Sequence, residues 1–351
     1  MRIAMVAGGS GGHIYPALSL AKELVSRGHS VAFIGADNRI EKDIIPENHF
    51  EFIGLAVRTT KGGPLQKIIS LLSMFTSYRE AKKILKGRFD LVIGFGNYIS
   101  VPVVLAAKSL GIRIMLHEQN SFVGRANRFL DEKADLIVGS YEENLKQFKN
   151  PKIKILGNPQ SSIAAAVKRN DSLFGDEHLS KDVKTVLIFF GSLGSETLMK
   201  TVCEYFKIKS PGYQVLYATG NTYYDAVLPY DSEEIRIEKR IDGTAWMKDA
   251  DLFVGRAGAT TLAEVIATGV PSVLIPSPYV PNNHQYFNAR ALSDKNAAVL
   301  IEEKQLTPEL LKKTIEDLLA DDEARANLSK QTESMRNDHV IDDIIDEIEK
   351  L

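Results

Sequence analysis

Three short stretches of this chain repeat one pattern: an aspartate, an uninterrupted apolar run, and a glycine. They are Asp90-Leu91-Val92-Ile93-Gly94, Asp135-Leu136-Ile137-Val138-Gly139 and Asp251-Leu252-Phe253-Val254-Gly255. A strand that is apolar at every position, not only at alternate ones, must be covered on both faces, as inside a parallel sheet flanked by helices. Parallel neighbours are joined only by crossovers, so the pattern commits the chain to alternating strands and helices, an α/β architecture. The runs Ile3 to Ala7 and Val186 to Phe190 fit the same role, and Ile112 to Leu116 is another strand. Asp251 also belongs to an Asp249-Ala250-Asp251 run that resembles a metal motif. It lies where its strand begins, opposite the edge at which such sheets bind ligands, so no metal is expected there.

With 351 residues the chain can build two such sheets with separate cores. Asn150-Pro151 and Gly157-Asn158-Pro159 bracket a short strand, Ile153 to Leu156, and a helix opens at Ser161. The expected units are therefore 1–160 and 161–337, with 338–351 as a terminal helix. That helix carries Val340, Ile341, Ile344, Ile345, Ile348 and Leu351 at helical spacing, a stripe suited to packing. A formal charge of −2 gives no general attraction to nucleic acid. The single cysteine, Cys203, excludes an intrachain disulfide and fits a reducing compartment. The apolar run in MRIAMVAGGSGGH is too short for a signal peptide, and no stretch reaches the ~18 apolar residues of a membrane span. A cytoplasmic protein is expected.

Function is concentrated in glycine turns that follow strands. After Leu252 to Val254 comes a turn with Gly255 and Gly258, a helix from Ala259 to Thr268, and a strand from Ser272 to Ile275. A helix N-terminus presents unpaired N–H groups and a positive dipole end, so this turn reads as a phosphate seat. Thr260 and Thr261 add hydroxyls, and Glu264, one turn in, could grip vicinal ribose hydroxyls or merely offset the dipole. The polar loop Asn282-Asn283-His284-Gln285, with Asn288, favours a sugar ligand. At the other end of the chain, Gly8-Gly9-Ser10-Gly11-Gly12-His13 lies between a strand and a helix from Tyr15 to Arg27. A dinucleotide fingerprint would need a third glycine where Ile14 stands, although Asp37 could supply its acid. The alternative is a diphosphate loop with His13 as general base, kept neutral by the helix N-terminus. A histidine that only caps the backbone remains equally open. Between Lys61 and Gly87, Leu65, Ile68, Ile69, Leu71, Leu72, Met74 and Phe75 are too many apolar residues for one helix face. They are flanked by Lys61, Lys67, Arg79, Lys82 and Lys83. Such a helix is either buried or lies on an anionic membrane surface.

Five motifs in order, GGSGGH, GFGNY, HEQN, FGSLGS and GRAGATTLAE, resemble those of the family 28 glycosyltransferases across nearly the whole chain. The resemblance implies a GT-B fold: two doubly wound, Rossmann-like parallel-sheet domains facing each other across a cleft. It implies an inverting transfer of N-acetylglucosamine from UDP-GlcNAc to the 4-hydroxyl of the muramoyl sugar of lipid I, giving lipid II without metal or cofactor. Residues 1–160 would take the acceptor at the cytoplasmic face of the membrane, and 161–337 the donor. His13 would be catalytic, with Leu65, Ile68, Ile69, Leu72 and Phe75 meeting the membrane. The donor set carried over is Ser10, Gly11, Gly12, Asn120, Ser192, Ile241, Ala259, Thr260, Thr261, Leu262, Glu264 and Gln285. The acceptor diphosphate would meet Gly11, Gly12, Gly94, Gly96, Asn97, Tyr98 and Asn127. This chain departs from the family pattern at Asn97, which replaces a glycine, at Gln160-Ser161, at Phe190 and Ser195, and at His284, which replaces a glutamine. Asn97 is expected to keep the turn by adopting positive φ. The rival functions are another UDP-sugar-dependent lipid glycosyltransferase, a UDP-GlcNAc 2-epimerase, and a non-catalytic nucleotide-sugar module indifferent to His13.

Overall fold

The computed structural model describes residues 1–57, 64–168, 179–191 and 194–351, with side chains omitted at 64–69 and 71. The chain divides into two compact units, Met1–Ser162 with His339–Leu351, and Ile163–Asp338.

The first unit holds seven parallel strands: β1 (Arg2–Val6), β2 (Ser30–Ala36), β3 (Glu51–Leu55), β4 (Leu91–Gly94), β5 (Arg113–Glu118), β6 (Leu136–Gly139) and β7 (Ile153–Ile155). Their order in the sheet is β3-β2-β1-β4-β5-β6-β7. Alternate residues of each strand feed two cores. Ala4, Val6, Ile34 and Val92 pack with Val103, Ala107, Ala81 and Leu85 from the Ser100–Ser109 and Pro64–Leu85 helices. Ile3, Met5, Phe33 and Ile93 pack with Leu20 and Leu24 of the Gly11–Ser26 helix, and with Ile341, Ile344, Ile345 and Ile348 of the C-terminal helix, Val340–Glu349. That last helix is held at its rim by Arg27 to Asp342 and Lys154 to Glu347.

The second unit has six parallel strands: β8 (Thr185–Phe189), β9 (Gln214–Ala218), β10 (Ile235–Glu238), β11 (Leu252–Gly255), β12 (Ser272–Leu274) and β13 (Val299–Leu300). They lie in the order β10-β9-β8-β11-β12-β13. One face is covered by Leu198, Val202 and Phe206 of the Glu196–Ile208 helix and by Leu311 and Ile315 of Pro308–Ala320. Cys203 belongs to this core and is buried. Both sheets are doubly wound, as expected of the GT-B class.

The repeated aspartate has a structural cause. Each one accepts an N–H from the first or second residue of the neighbouring strand: Asp90 from Arg2 (2.8 Å), Asp135 from Ile114 (3.0 Å) and Asp251 from Thr185 (2.8 Å). An orphan donor at the sheet's edge is thereby satisfied. The glycine that closes each run makes room for what crosses the strand end. A Cβ at Gly94 would crowd Leu116 at 3.2 Å, and one at Gly139 would lie 2.8 Å from Asn144 Oδ1.

Candidate functional site

In each sheet the strand order reverses once, between β1 and β4 and between β8 and β11. Open α/β sheets bind ligands beside the carboxyl ends of the strands at such a switch point. The turns that follow these four strands are the four glycine turns singled out in the sequence. Sequence placed each turn at a strand end, but only the strand order makes them neighbours in pairs.

In the first unit the loop after β1 is shorter than expected. The helix begins at Gly11, with Ser10 in extended backbone at its N-cap, so His13 lies within the first turn of the helix. Ser10 Oγ and His13 Nδ1 are 2.9 Å apart, and the Ser10 carbonyl accepts the His13 N–H. Gly9 has φ +79, and nothing lies within 4 Å of where its Cβ would be. Gly12 also has open space, with Ser10 Oγ 3.9 Å from its added Cβ.

After β4 the positive φ falls on Gly96 (+86), and not, as the sequence suggested, on Asn97. A Cβ on Gly96 would sit 2.7 Å from Asn127 Nδ2. Asn97 is buried and both ends of its amide are committed. Its Oδ1 accepts from the Ser100 N–H (3.0 Å) and hydroxyl (3.2 Å), and its Nδ2 donates to the Gly8 carbonyl (3.1 Å). The Asn97 side chain thus caps a helix and ties two turns together. Asn127 is likewise fully buried, its Nδ2 donating to His117 O (2.9 Å) and Glu118 Oε2 (3.0 Å). It supports the Gly96 turn from beneath. Tyr98 is half-buried against the core.

The HEQN quartet at the end of β5 is mostly internal scaffold. His117 is fully buried, which lowers its pKa to about 4, and Phe95 stacks on its ring. The neutral ring donates from Nε2 to the Gly157 carbonyl (3.1 Å), so Nδ1 accepts from Gln119 Nε2 (2.9 Å). Glu118 accepts from Asn120 N–H, Asn120 Nδ2, Gly124 N–H and Asn127 Nδ2, at 2.9 to 3.2 Å. Burial raises its pKa, while those donors favour the ionised form. Of the four residues only Asn120 is half-exposed, and Glu118 sets its position.

In the second unit Ser192 lies outside the described residues. The Ala259–Thr268 helix starts after Gly258, which as a glycine brings no side-chain cap of its own. Thr260 and Thr261 are half-buried in its first turn, and Ala259 is buried. The Leu262 side chain is fully buried and its N–H donates to the Gly258 carbonyl (2.9 Å). Glu264 is half-buried, and its pKa is raised to about 7, first by burial and then by the Asp242 carboxylate, against a hydrogen bond from Thr244. Asp242 itself caps the Gly243–Asp249 helix, accepting from the Ala245 N–H (3.1 Å), and Ile241 beside it is half-buried.

The amide-rich loop after β12 is more structural than its composition suggested. Asn282 and Asn283 occupy successive left-handed positions, φ 55 and 51, which asparagine tolerates better than most residues. Asn288 is buried and donates to the Ala257 carbonyl (3.2 Å), anchoring the turn after β11. His284 is placed by Nδ1 donating to the Pro281 carbonyl (2.9 Å), and burial lowers its pKa. Gln285 Oε1 accepts the Ser277 N–H (2.9 Å).

Two charged residues escaped the sequence reading. Arg256 is buried and donates to the Ile275 carbonyl (3.0 Å) and Ser195 Oγ (3.1 Å), joining the turns after β8 and β11. Its guanidinium also contacts Glu303 at 2.6 Å, a close ion contact outside hydrogen-bond geometry. Glu41, fully buried, lies under the first glycine loop. An arginine directly after a buried strand was a signal that a distant acid must exist, but nothing in the sequence pointed to Glu303.

The long greasy helix runs from Pro64 to Leu85. Leu72 and Phe75 are exposed, at 61% and 52%, and the Arg79 guanidinium stands 4.5 Å over the Phe75 ring. The side chains of Leu65, Ile68, Ile69 and Leu71 lie outside the described residues. No helix among the described residues is long and apolar enough to cross a membrane.

Residues 3–138 match the glycosyltransferase family 28 N-terminal domain, and residues 185–345 match the family 28 C-terminal domain. The chain is 36% identical to a UDP-N-acetylglucosamine--N-acetylmuramyl-(pentapeptide) pyrophosphoryl-undecaprenol N-acetylglucosamine transferase of Bacillus subtilis (strain 168), over 95% of each chain. It is 36% identical to the protein of the same name from Desulforamulus reducens, over 100% of this chain and 99% of that one. Among solved structures it resembles MurG of Acinetobacter baumannii, with TM-score 0.84 and 24% identity over 100% of this chain and 99% of that one. That likeness is one of fold, a two-domain GT-B arrangement of parallel sheets.

Proposed function

The chain belongs to glycosyltransferase family 28, and from that premise we propose that it transfers N-acetylglucosamine from UDP-N-acetylglucosamine to lipid I. The product is lipid II, the undecaprenyl-linked disaccharide of peptidoglycan synthesis. The second unit takes the donor and the first the acceptor, at a membrane surface. The observation that carries the reading is the helix N-terminus at Ala259 to Thr261, entered through Gly258 at the β8/β11 switch point, with Glu264 one turn behind it. Such an end stabilises a diphosphate, and a carboxylate at that distance suits ribose hydroxyls.

In the transfer, the acceptor 4-hydroxyl loses its proton to His13 as its oxygen bonds to the anomeric carbon. The bond from that carbon to the β-phosphate oxygen breaks on the opposite face, its electron pair leaves on UDP, and configuration inverts. In this reading His13 Nδ1 donates to Ser10 Oγ, 2.9 Å away, which leaves Nε2 as the basic nitrogen. Gly11 and Gly12 give the acceptor pyrophosphate close approach to the backbone at the start of that helix. Negative charge growing on UDP is met by the Ala259–Thr261 N–H groups and the Thr260 and Thr261 hydroxyls. Ser192, Ile241, Asn120 and Gln285 complete the donor contacts, and Leu72 and Phe75, beside Arg79, meet the anionic lipid surface.

The test measures UDP release from UDP-GlcNAc with and without a short-chain lipid I analogue, for the wild type and His13→Ala. The expected result is acceptor-dependent release that falls by about 10²–10⁴ in the variant, the usual worth of a general base, with UDP-GlcNAc affinity kept. No acceptor-dependent release refutes the assigned reaction. Unchanged turnover in the variant removes His13 as the base.

A further inference from the structure

We propose that Glu41 and Asn97 are positioning residues that together lock the Gly8–Gly9 peptide in one orientation, and so set the first glycine loop for the acceptor. The inference rests on the reading that this loop serves the acceptor. Its basis is that both polar ends of a single peptide unit are held by buried side chains from different parts of the fold. The Gly9 N–H donates to Glu41 Oε2 at 3.0 Å, while Asn97 Nδ2 donates to the Gly8 carbonyl at 3.1 Å. Glu41 has 0% accessibility to solvent, and Asn97 retains 6%. Neither side chain can reach a substrate without leaving its place, so both act through the loop.

The loop needs such a lock. A peptide between two glycines rotates at little steric cost, because neither residue has a Cβ to block it. Gly9 sits at φ +79 with open space around its missing Cβ, so packing does not fix it. The two hydrogen bonds do. Space for Glu41 is itself built in: a Cβ on Gly8 would overlap the Glu41 carboxylate, and one on Gly35 would lie 2.7 Å from Glu41 Cγ. The second carboxylate oxygen accepts the Ala36 N–H at 3.0 Å, anchoring Glu41 to the end of β2. Turning the Gly8–Gly9 peptide would drag Ser10, whose hydroxyl and carbonyl both hold His13.

Asn97 is also where this sequence leaves the family pattern, which has glycine there. A glycine could not reach the Gly8 carbonyl, so in this chain the second glycine turn clamps the first. Asn97 Oδ1 is meanwhile anchored by the Ser100 N–H and hydroxyl, which keeps Nδ2 aimed at Gly8.

The experiment compares the intact chain with Glu41→Gln, Asn97→Gly and the double variant. Amide exchange of residues 8–13 is read alongside steady-state kinetics with UDP-GlcNAc and a lipid I analogue. The Gly9 amide is expected to exchange about tenfold or more faster in each single variant, as when a buried hydrogen bond to a charged or amide partner is lost. KM for the lipid I analogue should rise several-fold or kcat fall, with UDP-GlcNAc affinity unchanged. The double variant should be little worse than the stronger single one, because both act on one peptide. Wild-type Gly9 protection in Asn97→Gly overturns the lock, and so does lost protection with unchanged acceptor kinetics. If Glu41→Gln does not fold, Asn97→Gly carries the test. If the wild-type chain does not use lipid I, the reaction assigned above fails while the exchange data still decide the lock.

Discussion

Glu264 makes donor binding sensitive to pH in a direction and size that can be worked out. Burial, and then the neighbouring Asp242 carboxylate, raise its pKa to about 7. Two donated ribose hydroxyls would favour the ionised carboxylate, so binding must return the pKa toward its ordinary range and release a proton. With a free-state pKa near 7, about a tenth of the carboxylates are ionised at about pH 6 and about nine-tenths at about pH 8. Affinity for UDP-GlcNAc should therefore rise about tenfold between those values, or ~1.4 kcal/mol. UDP-GlcNAc is the right probe because both its phosphates are esterified and neither titrates in this window, unlike the terminal phosphate of UDP. Calorimetry in buffers of different ionisation enthalpy should show about half a proton released per binding event at pH 7. Glu264→Gln, neutral throughout, should bind more weakly at pH 8 and show no such slope. His284, whose pKa burial lowers, is present in both proteins, so the Glu264→Gln comparison separates any contribution it makes. A flat wild-type profile from pH 6 to 8, or the same slope in Glu264→Gln, refutes the assignment of Glu264 to the ribose. The same shift also bears on stability without ligand. The folded-state pKa lies above the unfolded one, so ionisation disfavours the fold, and this cost grows as pH rises from about 4.5 to about 7.

Gly96→Ala should destabilise the first unit by about 1–2 kcal/mol for the left-handed backbone, and by more where the new Cβ, 2.7 Å from Asn127 Nδ2, displaces that amide; denaturant midpoints measure it. Truncation before Val340 removes five buried aliphatic side chains at about 2 kcal/mol each. That sum is comparable with the whole net stability of a domain, so the first unit should lose its cooperative transition in calorimetry while the second keeps its own. Leu72→Asp with Phe75→Asp should abolish sedimentation with anionic vesicles while leaving UDP-GlcNAc binding intact; retained sedimentation removes this helix from the membrane reading.

The sequence by itself determined the class of fold, because strands apolar at every position can only be buried on both faces between helices. It also located the glycine turns at the strand ends, since glycine after a buried strand marks where backbone must pass closely or bend to positive φ, as at Gly94 and Gly96. Local chemistry of that kind is written in consecutive residues. What only the tertiary structure decided were the partners of polar groups far apart in the chain. The motif asparagines Asn97 and Asn127 read in sequence as ligand contacts, and in the fold their Nδ2 groups donate to the Gly8 and His117 carbonyls. The same holds for Asn288 on Ala257, and Asn282 and Asn283 serve the backbone through their φ angles. Arg256 finds Glu303, and Glu41 finds Gly9, only once the sheets are assembled. A buried polar group must be satisfied by whatever the fold brings beside it. Periodicity records which residues are buried, but not which distant donor will meet which acceptor.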